Sequence, residues 1–103
     1  MRSINKINRI NRKGLKAGYW EDYWGNGNLE SKGFYKNGKM DGYWEDYYSN
    51  GELYYKGSYK NGRADGLWEY YHYNGKLSER GSYVNGEEDG VWEEYNVNGE
   101  FIG

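Results

Sequence analysis

Three kinds of residue in this chain could do chemistry: one histidine, His72, three adjacent carboxylate pairs, and three aspartates that recur beside glycine. A histidine carries protons near neutral pH, and two carboxylates can work as acid and base when both reach one atom. The pairs are Glu21/Asp22, Glu45/Asp46 and Glu93/Glu94. The aspartates are Asp41, Asp65 and Asp89, each followed by glycine, a composition found in calcium loops. With no cysteine and no second histidine, the donor set of a transition-metal site is missing.

The elements that must position these residues repeat. Tryptophan recurs at Trp20, Trp44, Trp68 and Trp92, and the chain divides without gaps into units 18–41, 42–65 and 66–89 and a partial unit 90–103. Such a period marks units that bury their apolar groups only against neighbours. Every unit carries an Asn-Gly pair (Asn26-Gly27, Asn50-Gly51, Asn74-Gly75, Asn98-Gly99) between alternating, aromatic-rich runs. That is the strongest short-range hairpin signal, because a type I′ turn needs φ > 0 at both central residues. The expected fold is all-β: a single-layer antiparallel meander of seven or eight strands built from 24-residue hairpin repeats.

A two-residue turn at Asn50-Gly51 sets Trp44 opposite Gly57, Glu45 opposite Lys56 and Tyr48 opposite Leu53. The other connections (37–40, 61–64 and 85–88) read as four-residue loops closed by Lys36/Asp41, Lys60/Asp65 and Val84/Asp89. This register predicts a row Trp20, Gly33, Trp44, Gly57, Trp68, Gly81, Trp92, in which each ring can lie over a bare glycine. A parallel row reads Gly18, Tyr35, Gly42, Tyr59, Gly66, Tyr83, Gly90. The opposite face carries Glu21, Lys32, Glu45, Lys56, Glu69, Arg80, Glu93, alternating in charge.

Placed on strands, the chemistry recedes. Neighbouring carboxylates point to opposite faces and cannot converge on one substrate atom. Each Asp-Gly loop offers one recurring carboxylate where calcium requires several oxygens. His72 occupies a position filled by Trp24, Tyr48 and Asn96 in the other units, beside Leu53 and Leu77, and reads as a packed surface residue. Catalysis needs one unique constellation, so no catalytic, cofactor-binding or metal-ligating residue is expected, and the chain is read as non-enzymatic.

Composition bounds the partners. The 103 residues suffice for one small domain, stabilised largely by 14 Tyr, 5 Trp and 2 Phe. No apolar run has the length of a membrane-spanning helix, the N-terminus lacks a signal-like apolar stretch, and cysteine is absent, which together read as cytoplasmic. Residues 1–16 carry +6 and residues 17–103 carry −8. The chain divides into a basic N-terminal arm or cap, 1–13, with triplets Ile4-Asn5-Lys6, Ile7-Asn8-Arg9 and Ile10-Asn11-Arg12, and a repeat sheet, 14–103. The acidic body repels phosphate, so no direct contact with nucleic acid is expected.

Binding residues are sought where the repeats disagree, since the scaffold does not dictate those positions. On the tryptophan face one row reads Asp22, Ser31, Asp46, Tyr55, Tyr70, Glu79, Glu94, and the next reads Trp24, Leu29, Tyr48, Leu53, His72, Leu77, Asn96, Phe101. Trp24, Asp46, Tyr48, Tyr55, Tyr70, His72, Glu79 and Glu94 are the partner-binding candidates, with Glu87, Glu88 and Asp89 as an acidic cluster that steers a basic protein. A single-layer sheet can also use these same aromatics to hold itself together. The strand end at Phe101-Ile102 offers an edge for self-association.

The pattern KG-x-Y-x-NG-x-x-DG-x-W-x-x-Y-x-x-NG is carried by Lys32-Gly33, Tyr35, Asn37-Gly38, Asp41-Gly42, Trp44, Tyr47 and Asn50-Gly51, and again from Lys56-Gly57 to Asn74-Gly75. It resembles the bacterial variant of the MORN (membrane occupation and recognition nexus) repeat found in the YwqK-type antitoxin family. Departures are Arg80 for lysine, Val84 for a loop-flanking lysine, and a last unit truncated after Ile102. The resemblance implies an antitoxin or immunity protein that binds another protein, and the acidic aromatic face makes the expected partner a basic toxin or nucleic-acid-acting complex. A phage-encoded inhibitor of a host defence complex would use the same acidic mimicry. The membrane and phosphoinositide associations of eukaryotic MORN proteins imply instead a structural or membrane-peripheral scaffold assembling through sheet edges.

Overall fold

The computed structural model describes residues 7–103, so the triplet Ile4-Asn5-Lys6 and the rest of the arm before Ile7 lie outside the described residues. The strands are β1 (Arg9–Ile10), β2 (Lys16–Tyr23), β3 (Leu29–Lys36), β4 (Lys39–Tyr47), β5 (Leu53–Lys60), β6 (Arg63–Ala64), β7 (Gly66–Tyr71), β8 (Leu77–Val84) and β9 (Glu87–Glu94). They form one open antiparallel sheet in the order β1-β2-β3-β4-β5-β7-β8-β9, with β6 paired to β5. The meander and its single layer are as expected; the smallest extent, 17 Å, leaves room for one sheet and its side chains.

The two kinds of turn are the reverse of the expectation. At Asn50-Gly51 only Gly51 has positive φ (92°); the Gly51 N–H donates to the Tyr48 carbonyl at 3.0 Å, and the Tyr48 N–H donates to Glu52 at 2.8 Å. This is a three-residue loop, a type I turn closed by a left-handed glycine. The type I′ turns are at Asn37-Gly38, Asn61-Gly62 and Asn85-Gly86, where both residues have positive φ. They bring Lys36 opposite Lys39, Lys60 opposite Arg63 and Val84 opposite Glu87, not the Asp41, Asp65 and Asp89 closures.

The central register is nonetheless the expected one, because bulges restore it. Between Gly33↔Trp44 and Tyr35↔Met40, β4 carries two more residues than β3. Gly42, at φ 102°, sits in that excess. Between Asp46↔Tyr55 and Tyr47↔Leu53, β5 carries Tyr54 as a surplus residue. The pairing of Tyr48 with Leu53 is thereby replaced by Tyr47 with Leu53, and Tyr35 and Tyr83 face Met40 and Glu88 instead of a second glycine. Asp41 and Asp65, instead of closing the loops, tie adjacent turns together, each accepting the backbone N–H of the next turn's asparagine, Asn61 at 3.1 Å and Asn85 at 3.3 Å.

What pins the register is the tryptophan row. A Cβ added at Gly33, Gly57 or Gly81 would fall inside the ring of Trp44, Trp68 or Trp92, so each ring lies back over the glycine of the preceding strand. Trp44 and Trp68, 5% and 3% exposed, are the buried apolar core among the described residues. Tyrosines wedge between the indoles edge-on: Trp20–Tyr35 at 5.9 Å, Tyr35–Trp44 at 5.5 Å, Trp44–Tyr59 at 6.2 Å, Tyr59–Trp68 at 5.0 Å, Trp68–Tyr83 at 5.7 Å and Tyr83–Trp92 at 5.1 Å. Each such pair contributes about 0.5–1.5 kcal/mol beyond the area it buries. This ladder replaces the second layer that a sheet normally needs.

Candidate functional site

Two residues beyond the tryptophans, on the same face, runs a row that consecutive strand pairs connect directly: Asp22↔Ser31, Ser31↔Asp46, Asp46↔Tyr55, Tyr55↔Tyr70, Tyr70↔Glu79 and Glu79↔Glu94. Tyr55 stacks on Trp68 (5.6 Å, 28°) and leans on Tyr70 at 5.7 Å. The Tyr70 and Tyr83 hydroxyls are 3.2 Å apart. Burial pushes both Tyr55 and Tyr70 phenols well above their ordinary value, with Asp46 adding to the rise at Tyr55 and Tyr83 at Tyr70.

The row holds four carboxylates and no cation. Glu79 and Glu94 face each other directly, a like-charge pair that costs the sheet stability. Burial raises the Asp46 carboxyl above the usual range; hydrogen bonds from Trp44 (Nε1 to Oδ1, 3.1 Å) and Tyr55 oppose the rise, and repulsion from Asp22 adds to it. None of these carboxylates takes part in an ion pair with a described residue.

Trp24, Tyr48 and His72, chosen because the repeats differ there, all serve the same purpose. The Trp24 indole donates to the Tyr47 carbonyl at 3.2 Å, the Tyr48 hydroxyl donates to the Tyr71 carbonyl at 2.6 Å, and His72 Nε2 lies 2.8 Å from the Tyr95 carbonyl. Each ring reaches 23 residues forward and hooks the next unit. Beside them Asn26, Asn50 and Asn74 donate to the carbonyls of Ser49, Tyr73 and Val97 over the same interval. The sequence variation therefore satisfies one requirement, a ring with a polar atom at its far end.

Glu87, Glu88 and Asp89 lie at the opposite end of β9 from Glu94, exposed, beside the last type I′ turn. The candidates thus separate into three groups: the row of Asp46, Tyr55, Tyr70, Glu79 and Glu94; the forward hooks; and the acidic start of β9. At the chain's end, residues 101–103 fold back on β9, with Phe101 bridged to Tyr95 and the Ile102 N–H donating to Glu94 at 2.8 Å.

The other face shows an arrangement that sequence reasoning missed. Tyr19 and Tyr23 donate to the two Glu21 oxygens at 2.7 and 2.6 Å, and Tyr43 and Tyr47 donate to the two oxygens of Glu45. Tyr71 alone reaches Glu69, at 3.3 Å, where Leu67 replaces the first tyrosine. The ion pairs run one way along the sheet: Lys32 takes Glu45 (3.3 Å) rather than Glu21, Lys56 takes Glu69 (3.5 Å), and Arg80 takes Glu93 through two N–H groups. Hydrogen bonds from Tyr23 and Tyr19 hold the Glu21 carboxyl below its ordinary value. At Glu45 burial pushes upward, and Tyr43, Tyr47 and Lys32 together outweigh it. The Tyr19 phenol is pushed up to about 12, first by burial and then by Glu21. The signal was the i±2 spacing Tyr-x-Glu-x-Tyr, which places three side chains on one face of a strand.

Among the described residues no three metal-ligating side chains converge, and no helix is long and apolar enough to cross a membrane. The geometry offers a flat surface of rings and carboxylates, suited to docking rather than to enclosing a small substrate.

The MORN repeat variant family model matches residues 16–37, 40–61 and 64–85, each match spanning one strand pair up to the first residue of its type I′ turn. No curated protein and no solved structure matches the chain.

Proposed function

The chain belongs to the MORN repeat variant family, a protein- or membrane-binding module, and on that premise we propose that it is an antitoxin or immunity-type inhibitor of a basic, nucleic-acid-acting protein. Its acidic aromatic row would cover the partner's phosphate-binding surface. The observation that carries this reading is the uncompensated Glu79↔Glu94 pair, in line with Tyr70, Tyr55 and Asp46. Like charges opposite one another weaken the sheet. A cation brought by a partner removes that repulsion, so binding and the relief of strain act together.

Tyr55 and Tyr70 supply the apolar part of the contact. Half-buried and stacked, they lose little freedom when covered, the property that makes tyrosine a frequent hot spot. Trp24, Tyr48 and His72 support the row by hooking successive units. Glu87, Glu88 and Asp89 add long-range attraction, which raises the association rate more than the affinity.

The test compares the wild-type chain with the triple variant D46N/E79Q/E94Q as bait in lysate of the native cell, then assays what is recovered on nucleic acid. The expected result is a basic protein that the chain inhibits and that the variant binds at least about tenfold less well, the loss of one or two charge-assisted contacts. Recovery of no protein, or equal recovery by both baits, overturns the reading.

A further inference from the structure

Around the type I′ turns at Asn37-Gly38 and Asn61-Gly62, the charge is of the opposite sign. A cleft of about 480 Å³ is lined by Lys39, Lys60, Asn61, Arg63, Asp65, Val84 and Asn85. Lys39 and Arg63 occupy the same place in successive units; their counterparts are Leu15 before them and Glu87 after them.

The scaffold explains the stems at this position but not the charges. The side chains of Leu15, Lys39 and Arg63 lie over Gly38, Gly62 and Gly86 of the next turn, with stem carbons 3.3–3.9 Å from where a Cβ would stand. Leucine does this as well as lysine, so packing requires only a long aliphatic stem. Across the turn stand Lys36, Lys60 and Val84, and the valine shows that no charge is needed there either. The Lys36↔Lys39 and Lys60↔Arg63 pairs set like charges directly opposite one another, which works against the fold. None of the four cations has an ion-pair partner among the described residues. Asp65, the one carboxylate in the cleft, is engaged by the Asn85 N–H.

We infer that this turn edge is a second binding site, for an acidic polypeptide segment whose Asp and Glu carboxylates lie along Lys39, Lys60 and Arg63. The Asn61 and Asn85 side chains at the rim are available as additional donors. Nucleic acid fits less well: the lining contains no aromatic ring on which a base could stack. A membrane fits less well too, because Glu87, Glu88 and Asp89 at the adjacent turn would be pressed against an anionic surface. The chain would then join two proteins of opposite charge, a basic one on the tryptophan face and an acidic one at the turn edge.

The experiment titrates the full chain with a synthetic peptide rich in Asp and Glu, following backbone amide shifts and heat. Inorganic phosphate, a single-stranded oligonucleotide and phosphatidylserine vesicles are run in parallel. Peptide binding should move the amides of Lys39, Asn61, Arg63 and Asn85, weaken with salt, and fall more than about tenfold in K39M/K60M/R63M, which keeps the aliphatic stems. That variant should melt no lower than wild type, since it removes the facing like charges. D46N/E79Q/E94Q should bind the peptide as wild type does, separating this site from the acidic row. Equal binding by wild type and K39M/K60M/R63M, shifts confined to other residues, or preference for the oligonucleotide or the vesicles would each overturn the inference.

Discussion

The two faces of this sheet are made from the same 24-residue unit yet are held together differently. On the tryptophan face, rings lie over glycines and wedge against one another, so stability comes from buried area and from a ladder running from Trp20 to Trp92. On the other face Glu21, Glu45 and Glu69 are held by tyrosines of their own strand, and Glu45 and Glu69 also by a lysine; the last unit, with Val91 in place of the first tyrosine, has a closer ion pair from Arg80. One face is continuous and the other is a set of separate clamps. A continuous ladder transmits a defect to its neighbours, whereas a clamp confines it to its own strand pair.

The largest expected break is Trp68→Ala. Trp68 is 3% exposed and contacts Tyr55, Tyr59 and Tyr83, so its removal should cost about 3–5 kcal/mol, measured by urea unfolding. Gly57→Ala comes next: the new methyl would stand inside the Trp68 ring, and the displacement should cost about 1–3 kcal/mol. Loss of near-ultraviolet dichroism in both variants would mark damage to the whole ladder; an unchanged signal in Gly57→Ala would break the argument that glycine is required there.

On the clamp face, Glu45→Gln should cost about 1–2 kcal/mol, because two tyrosine hydroxyls and Lys32 lose a charged partner. Its effect should depend on pH. The Glu45 carboxyl is held below its ordinary value, so its contribution is present above about pH 4.5 and is lost as pH falls through the lowered value. Tyr43 and Tyr47 are raised, first by burial and then by Glu45, so their contribution is complete below pH 10 and fades as pH climbs through the raised values. Glu45→Gln should remove this clamp's share of the acid limb and lessen the alkaline one, in which burial remains. Unchanged limbs would show that the clamps do not control them.

The smallest expected effect is that of Asp46→Asn, within about 0.5 kcal/mol at neutral pH. Because burial raises this carboxyl, the contribution runs opposite to that of Glu45: present below its ordinary value of 3.8 and lost as pH rises through the raised one. Acidification should therefore weaken the clamp face while relieving the tryptophan face. A clear destabilisation by Asp46→Asn at pH 7 would assign this residue to the scaffold and remove it from the proposed contact.

The tryptophan row was legible in the sequence because strand parity and the small volume of glycine leave few alternatives. The turns were not, since Asn-Gly suits both a type I′ turn and a type I turn with a left-handed glycine. The two kinds of turn differ in their long-range bonds: the Asn50 side chain reaches the Tyr73 carbonyl in one case, and Asp41 receives the Asn61 N–H in the other. Both partners lie a unit away. Tyr48 and His72 were legible as exceptions but not as hooks, because indole, phenol and imidazole look unlike until the equivalent carbonyls they reach, those of Tyr47, Tyr71 and Tyr95, are in place. The Tyr-Glu-Tyr spacing was plain in the sequence and hidden only by reading Glu45 together with Asp46.

The hooks of Trp24, Tyr48 and His72 all reach forward along the chain, as do the stems of Leu15, Lys39 and Arg63. During synthesis the N-terminal unit leaves the ribosome first, and its hooks must wait for the carbonyls of the unit behind it. Each unit is thus completed by the arrival of the next, over an interval of only 23 residues. Closing such short intervals is rapid compared with translation. The sheet should therefore grow from its first strand to its last in step with translation, with a single incomplete unit at the growing end at any moment.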